Sequence, residues 1–133
     1  MQNKDTKEFS VPILKIDPMP KPRMTQSDRW RKRPAVLKYF AWCDELRLLC
    51  AREKFSLGES LRVTFIIPMP ESWSEKKKKK MDFTFHRQKP DLDNLIKSVQ
   101  DALLGDDSKI CEYRYCAKVW GYEGQIQIIS EEL

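Results

Sequence analysis

The sequence predicts an α+β fold: a mixed β-sheet of about four strands with two main helices packed on it, in the order β-α-β-α-β-β. Three observations predict it. Apolar residues recur at helical spacing from Pro34 to about Arg52, and again from about Leu92 to Leu104. Apolar and polar residues alternate from Leu61 to Ile67 and from Cys111 to Val119, the period of half-buried strands. A length of 133 residues, with no internal repeat, fits one domain spanning residues 1–133.

Phe9 to Ile16 reads as the first strand, with Val11, Ile13 or Leu14, and Ile16 as its apolar surface. Pro18, Pro20 and Pro22 then stop regular structure. A basic loop from Lys21 to Arg33 follows, with Arg23, Arg29, Arg31, Lys32 and Arg33 around Trp30. Pro34 suits the first turn of a helix whose stripe is Val36, Tyr39, Phe40, Cys43, Leu46 and Cys50. Gly58 marks the turn after it.

In the second strand Leu61, Val63, Phe65 and Ile67 alternate with Arg62, Thr64 and Ile66, and Pro68 and Pro70 end it. Ser72 with Glu75 fits a capping box opening a short basic helix over Lys76, Lys77, Lys78, Lys79 and Lys80. A mobile solvated segment is the alternative, because adjacent like charges repel. Leu92, Leu95, Ile96, Val99, Ala102 and Leu103 form the second long helical stripe, with Gly105 placed as its C-terminal cap. In the next strand Cys111, Tyr113, Tyr115, Ala117 and Val119 line one face, and Glu112, Arg114 and Lys118 the other. Gly121-Tyr122-Glu123-Gly124 reads as a turn into a last strand with Ile126 and Ile128. The last two strands are expected to pair as an antiparallel hairpin.

A formal net charge of +5 favours an anionic partner. No segment approaches the roughly 20 apolar residues of a membrane span. Met1 to Ser10 is polar and mixed in charge, unlike a signal peptide, so a cytoplasmic protein with reduced thiols is expected. Cys43 and Cys50 share a helix face, whereas Cys111 and Cys116 are spaced unsuitably for zinc, and His86 is the sole histidine. Small buried hydrophobes are the expected role of the cysteines.

The stretch Lys89-Pro90-Asp91-Leu92-Asp93-Asn94-Leu95-Ile96-Lys97 carries the chemistry. Taken singly, Asp91 and Asp93 read as helix caps, Asp101 as a solvated residue at the back of the helix, and Asp106-Asp107 as an ordinary turn. Together they suggest more. One aspartate suffices for a cap, yet two stand here beside Asn94. Crowded carboxylates repel unless a cation lies between them, and Mg²⁺ takes one or two carboxylates plus water and phosphate oxygens. Asp91 and Asp93 would bind the metal, Asn94 would orient them, and Lys97 would hold the scissile phosphate, stabilise developing charge or position the attacking water. Metal-assisted phosphodiester cleavage is the first hypothesis.

At these residues the chain resembles the RusA family of Holliday-junction resolvases, common in phages and prophages. The motif above, then Asp101-Ala102-Leu103 and Asp106-Asp107-Ser108, is very similar to that family's core. Lys21-Pro22-Arg23 and Ser72-Trp73-Ser74 resemble flanking segments of phage-type members. The resemblance implies a Mg²⁺-dependent endonuclease, with Mn²⁺ as a substitute, acting as a homodimer on four-way DNA junctions. It implies metal-binding aspartates at Asp91, Asp93 and Asp107, with Asp106 in a supporting role, and an essential lysine at Lys97. One departure is that many members have a longer segment before the second acidic pair, where this chain has only Gly105.

A continuous helix from Leu92 to Leu104 would set Asp93 about 16 Å from its far end. Either the helix is shorter or bent, or each site takes Asp91 and Asp93 from one subunit and Asp107 from the other. Around this centre, Arg23, Arg29, Arg31, Lys32, Arg33, Lys76 to Lys80, Arg87 and Lys89 are expected to neutralise phosphates. Trp30, Trp73 and Phe83 are candidates to stack or wedge, with loop anchoring favoured for Trp73, and His86 is expected to be incidental. Nucleases for flaps, forks or other branched DNA, and a DNA-binding protein without catalysis, are the rival readings.

Overall fold

The computed structural model describes residues 13–23, 33–105 and 107–133, apart from the side chain of residue 107. Its elements are β1 (Ile13–Leu14), α1 (Pro34–Arg52), β2 (Ser60–Pro68), α2 (Glu75–Met81), α3 (Leu92–Leu103), a short 3-10 turn (Asp107–Lys109), β3 (Glu112–Gly121) and β4 (Gln125–Glu131). The α+β class holds, with a four-stranded mixed sheet and three helices among the described residues. No described helix is long and apolar enough to cross a membrane. Residues 9–12 of the expected first strand lie outside the described residues, and the strand ends at Leu14, although Ile16 is buried beyond it.

The helix α1 follows Arg33, whose extended backbone leads into Pro34. Its buried face is Val36, Tyr39, Trp42, Cys43, Leu46 and Cys50. Trp42 replaces the expected Phe40, which is 39% exposed. On a helical wheel Trp42 lies nearer the centre of the stripe, and its indole N–H donates to the Asp17 carbonyl at 2.8 Å.

The strand order is β1-β4-β2-β3, so the expected hairpin of the last two strands does not form. β2 lies between them, parallel to β3 and antiparallel to β4. The physical reason is burial. Leu61, Val63, Phe65 and Ile66 are all buried, and a strand apolar on both faces takes the centre of a sheet. Because β2 stops at Pro68, the Tyr122–Gly124 link can cross over its end. Gly124 permits that crossing, since a Cβ there would lie 1.9 Å from Oδ1 and 2.8 Å from Cα of Asp17.

A β-bulge changes the faces of β3. Leu61 pairs with Tyr113 but Arg62 pairs with Tyr115, leaving Arg114 as the extra residue. Tyr113 and Tyr115, expected on one face, therefore point to opposite sides. Tyr113 meets Gln100 of α3, while Tyr115 lies with Arg62, Thr64, Gln127 and Ile129 on the other face. Beyond the bulge, Lys118 is in register with Phe65, a core residue, and so belongs to the face that α1 and α3 cover.

The core packs α1 and α3 against that face, through Tyr39, Leu46, Leu95, Val99 and Ala102 onto Leu61, Val63, Phe65, Ile126 and Ile128. The basic helix does form, as α2, but Ser74 caps it instead of Ser72, accepting from the Lys77 N–H at 3.1 Å. Glu75 in its first turn and lysines in its last match the helix dipole. At the far end of α3, Gly105 is not a left-handed cap, and no described glycine has positive φ. Leu104 is the cap, extended at φ −125° and ψ 137°. Arg47 Nε donates to the Ala102 carbonyl at 2.6 Å, so a side chain of α1 satisfies a carbonyl that a glycine turn would otherwise serve.

Candidate active site

The chain reaches the acidic motif along the free edge of β3. The Phe83 N–H donates to Trp120 O at 2.9 Å, Trp120 N–H to Thr84 O at 3.0 Å, and His86 N–H to Lys118 O at 3.0 Å. His86 is buried, its ring 4.2 Å from that of Trp120. Burial, and then the Lys118 charge, hold its pKa below the ordinary histidine range. It is a packing residue. Trp73 packs at a tilt against Trp120, their ring centroids 4.7 Å apart, with the Lys77 ammonium 4.1 Å above the Trp73 ring. That is the anchoring role expected of it. Phe83 is exposed, with φ 60°.

From this edge the segment turns into α3. Lys118 Nζ donates to the Pro90 carbonyl at 2.7 Å and also to the Gln88 carbonyl. Asp91 is the N-cap of α3, yet its side chain makes no capping hydrogen bond. Its backbone does that work: the N–H groups of Asn94 and Leu95 donate to Asp91 O at 3.1 and 3.2 Å. Asp91 thus occupies the cap position that its sequence context suggests but makes no side-chain capping bond, and its carboxylate is left exposed. Asp93, in the first turn, is exposed as well, and so is Lys97, one turn further on. Among the described residues neither Asp91 nor Asp93 has an ion-pair partner.

Lys21-Pro22-Arg23 comes to lie beside this turn. Lys21 N–H donates to Asn94 O at 3.4 Å, and Arg33 Nη2 holds the Arg23 carbonyl at 2.7 Å. Lys21, Pro22, Arg23, Asn94 and Lys97 line a cleft of about 440 Å³. Asp101, one turn of α3 beyond Lys97, holds the Lys21 side chain that lines the cleft. Expected to be merely solvated, it accepts from Tyr39 Oη at 2.7 Å and from Lys21 Nζ at 3.4 Å.

The backbone of Asp107 lies away from Asp91 and Asp93. It opens the 3-10 turn beyond the other end of α3, and α3 is continuous over 12 residues, about 18 Å of rise. Two residues later Lys109 Nζ reaches the Leu57 carbonyl at 3.4 Å, near the start of β2. Lys118, by contrast, is in register with Phe65, about 17 Å along the same strand. Asp106, Arg29, Trp30, Arg31 and Lys32 lie outside the described residues. Lys76, Lys77, Lys79, Lys80, Arg87 and Lys89 are exposed, and Lys78 is half-buried.

Among the described residues no group of three or more His, Cys, Asp or Glu is placed to hold a metal. Two exposed carboxylates without competing bonds still fit a hard cation that takes its remaining ligands from water and phosphate. The cysteines offer no such site. All four are free thiols, and burial raises Cys43, Cys116 and Cys50, the last to about 11, while Cys111 is exposed.

Lys118 and Tyr39, which bond to Pro90 and Asp101 beside the acidic motif, are not singled out by alternation or helical spacing alone. Lys118 was assigned to the polar face of β3 because the bulge has no local signature. Tyr39 was read as core, which it is, except at its hydroxyl. A protein-family model described as Endodeoxyribonuclease RusA matches residues 15–129 of the chain. No curated protein matches it.

Proposed function

The chain belongs to the RusA family of endodeoxyribonucleases, of Holliday-junction-resolvase type, and from that premise we propose a Mg²⁺-dependent enzyme that resolves four-way DNA junctions by paired symmetric nicks in recombination and repair. The observation that carries this reading is the pair of exposed carboxylates, Asp91 and Asp93, with no ion-pair partner among the described residues, at the start of α3 beside a cationic cleft. These two side chains hold the ion, with Asn94 orienting them, Asp106 supports its neighbour Asp107, and Mn²⁺ serves as a substitute. When bound, the ion neutralises phosphate charge and activates water. Lys97 stabilises the charge that develops on the scissile phosphate.

Asp107 acts as the third carboxylate, supplied by the partner subunit of a homodimer. The separation along α3 and β2 supports this, because it keeps the two acidic groups of one chain apart. In a two-fold dimer with antiparallel α3 helices, each helix start meets the partner's helix end. Two equivalent sites then nick two strands related by the same symmetry. Arg23, Arg29, Arg31, Lys32, Arg33, Lys76 to Lys80, Arg87 and Lys89 hold the DNA backbone, and Trp30 lies in the same basic loop. The enzyme works in the cytoplasm, the host's if the gene is carried by a phage.

The test is cleavage of a four-way junction labelled on each strand in turn, with and without Mg²⁺. Symmetric paired nicks that need the ion are expected. Asp93→Asn should fold and bind the junction but not cut it. Nicks confined to flaps or forks, or an Asp93→Asn variant that cuts normally or fails to fold, would overturn the reading.

A further inference from the structure

Lys118 differs from the other lysines in its surroundings. The bulge in β3 turns it towards the covered face of the sheet, where it is half-buried. Its ammonium reaches two carbonyls of one loop, those of Gln88 and Pro90. Its own carbonyl accepts from the His86 N–H, so β3 grips this loop from both ends of one residue. The next residue after Pro90 is Asp91, whose side chain makes no capping hydrogen bond to α3 and no ion pair among the described residues. Among the described residues, the position of that carboxylate is set through its backbone. On the C-terminal side the first turn of α3 holds that backbone, and on the N-terminal side Lys118 does.

We propose that Lys118 is a positioning residue for the acidic site: by holding the Gln88 and Pro90 carbonyls it fixes the peptide that presents the Asp91 carboxylate. The inference rests on the reading of Asp91 and Asp93 as metal ligands and extends it to a residue outside the acidic motif. Only a long side chain with several N–H donors spans both carbonyls, so arginine can replace it and methionine cannot. Residues that orient a metal ligand typically contribute 10–100-fold to metal affinity or activity.

The experiment measures Mn²⁺ binding to the full-length protein, without DNA, from the free-ion electron paramagnetic resonance signal. Junction binding in a metal chelator and thermal melting are followed alongside. Lys118→Met should bind Mn²⁺ about tenfold more weakly, with junction binding unchanged. Lys118→Arg should restore most of the loss. If Lys118→Met melts below the assay temperature, Lys118→Gln is measured in its place against the same expectation. Parental Mn²⁺ affinity in the uncharged variant, with Asp93→Asn having lost it, overturns the role of Lys118 and leaves the acidic site standing. Parental affinity in Asp93→Asn as well overturns both.

Discussion

The Tyr39 hydroxyl donates to Oδ2 of Asp101 at 2.7 Å, while the Lys21 ammonium reaches Oδ1 of the same carboxylate at 3.4 Å. One carboxylate therefore ties α1, α3 and the Lys21-Pro22-Arg23 segment together. It keeps Lys21 alongside Lys97, both of which line the cleft. Asp101 is a brace for the cleft, and its distance along α3 keeps it out of the acidic pair.

Tyr39→Phe should destabilise the fold by about 1–2 kcal/mol, the range for a hydrogen bond to a charged acceptor that water partly replaces. Burial, and then the bond to Asp101, push the Tyr39 phenol above its ordinary value. The sign follows from linkage. The unfolded chain releases this proton near pH 10, whereas the folded chain keeps it to higher pH. Stability from Tyr39 is thus complete below pH 10 and declines as pH rises beyond it. Urea melts between about pH 8 and 11.5 should show a steeper alkaline loss in the parent than in Tyr39→Phe. Parallel curves would mean that this phenol is not the source.

Two glycines should respond oppositely to alanine. At Gly105 a Cβ would meet nothing within 4 Å, and φ is not positive, so Gly105→Ala should be neutral or stabilise by about 0.5 kcal/mol through the unfolded chain. At Gly58 a Cβ would lie 2.5 Å from the carbonyl oxygen and 2.7 Å from the carbonyl carbon of Glu131. That is backbone, and Gly58 N–H is itself bound to Ser130 Oγ at 2.6 Å. Gly58→Ala should cost about 1–3 kcal/mol. Urea midpoints of the two variants check both signs.

The pair also shows what local sequence conveys. The bounds of α1 were legible because Pro34 and a stripe of period 3.6 are local signals. The start of α3 was legible for the same kind of reason. Its end was legible to within a residue but its cap was not, because Arg47, distant in sequence, takes over a carbonyl at the helix end. The sheet order failed similarly. A short turn between two strands suggests a hairpin, and only the competition for the centre of the sheet, won by β2, separates β3 from β4. The bulge at Arg114 is set by pairing with β2, so the side on which Lys118 falls was invisible in β3 alone. The relation of Asp93 to Lys97 needed no tertiary information, because both lie in the first turns of one helix and helical spacing fixes it, whereas Asp91 stands before the helix in extended backbone.

The lysines of α2 give the last prediction. α2 buries none of its residues and lies two short steps before the acidic motif, following the Trp73 anchor. A helix with no core face has little structural use for five consecutive lysines, whereas phosphate neutralisation needs only exposed charge. Replacing Lys76 to Lys80 by glutamine keeps the Ser74 cap and the first-turn Glu75. Loss of the Lys77 contact with Trp73 should lower stability by about 0.5–1 kcal/mol. Affinity should fall for junctions and plain duplexes alike, because these contacts read no base edges. The slope of log affinity against log salt should flatten by about 0.9 for each phosphate contact removed. Filter binding of both DNA shapes across a salt series measures this. An unchanged slope would turn α2 away from the DNA, and a loss confined to junctions would make the helix a reader of branch shape, which exposed point charges on flexible stems are poorly built to be.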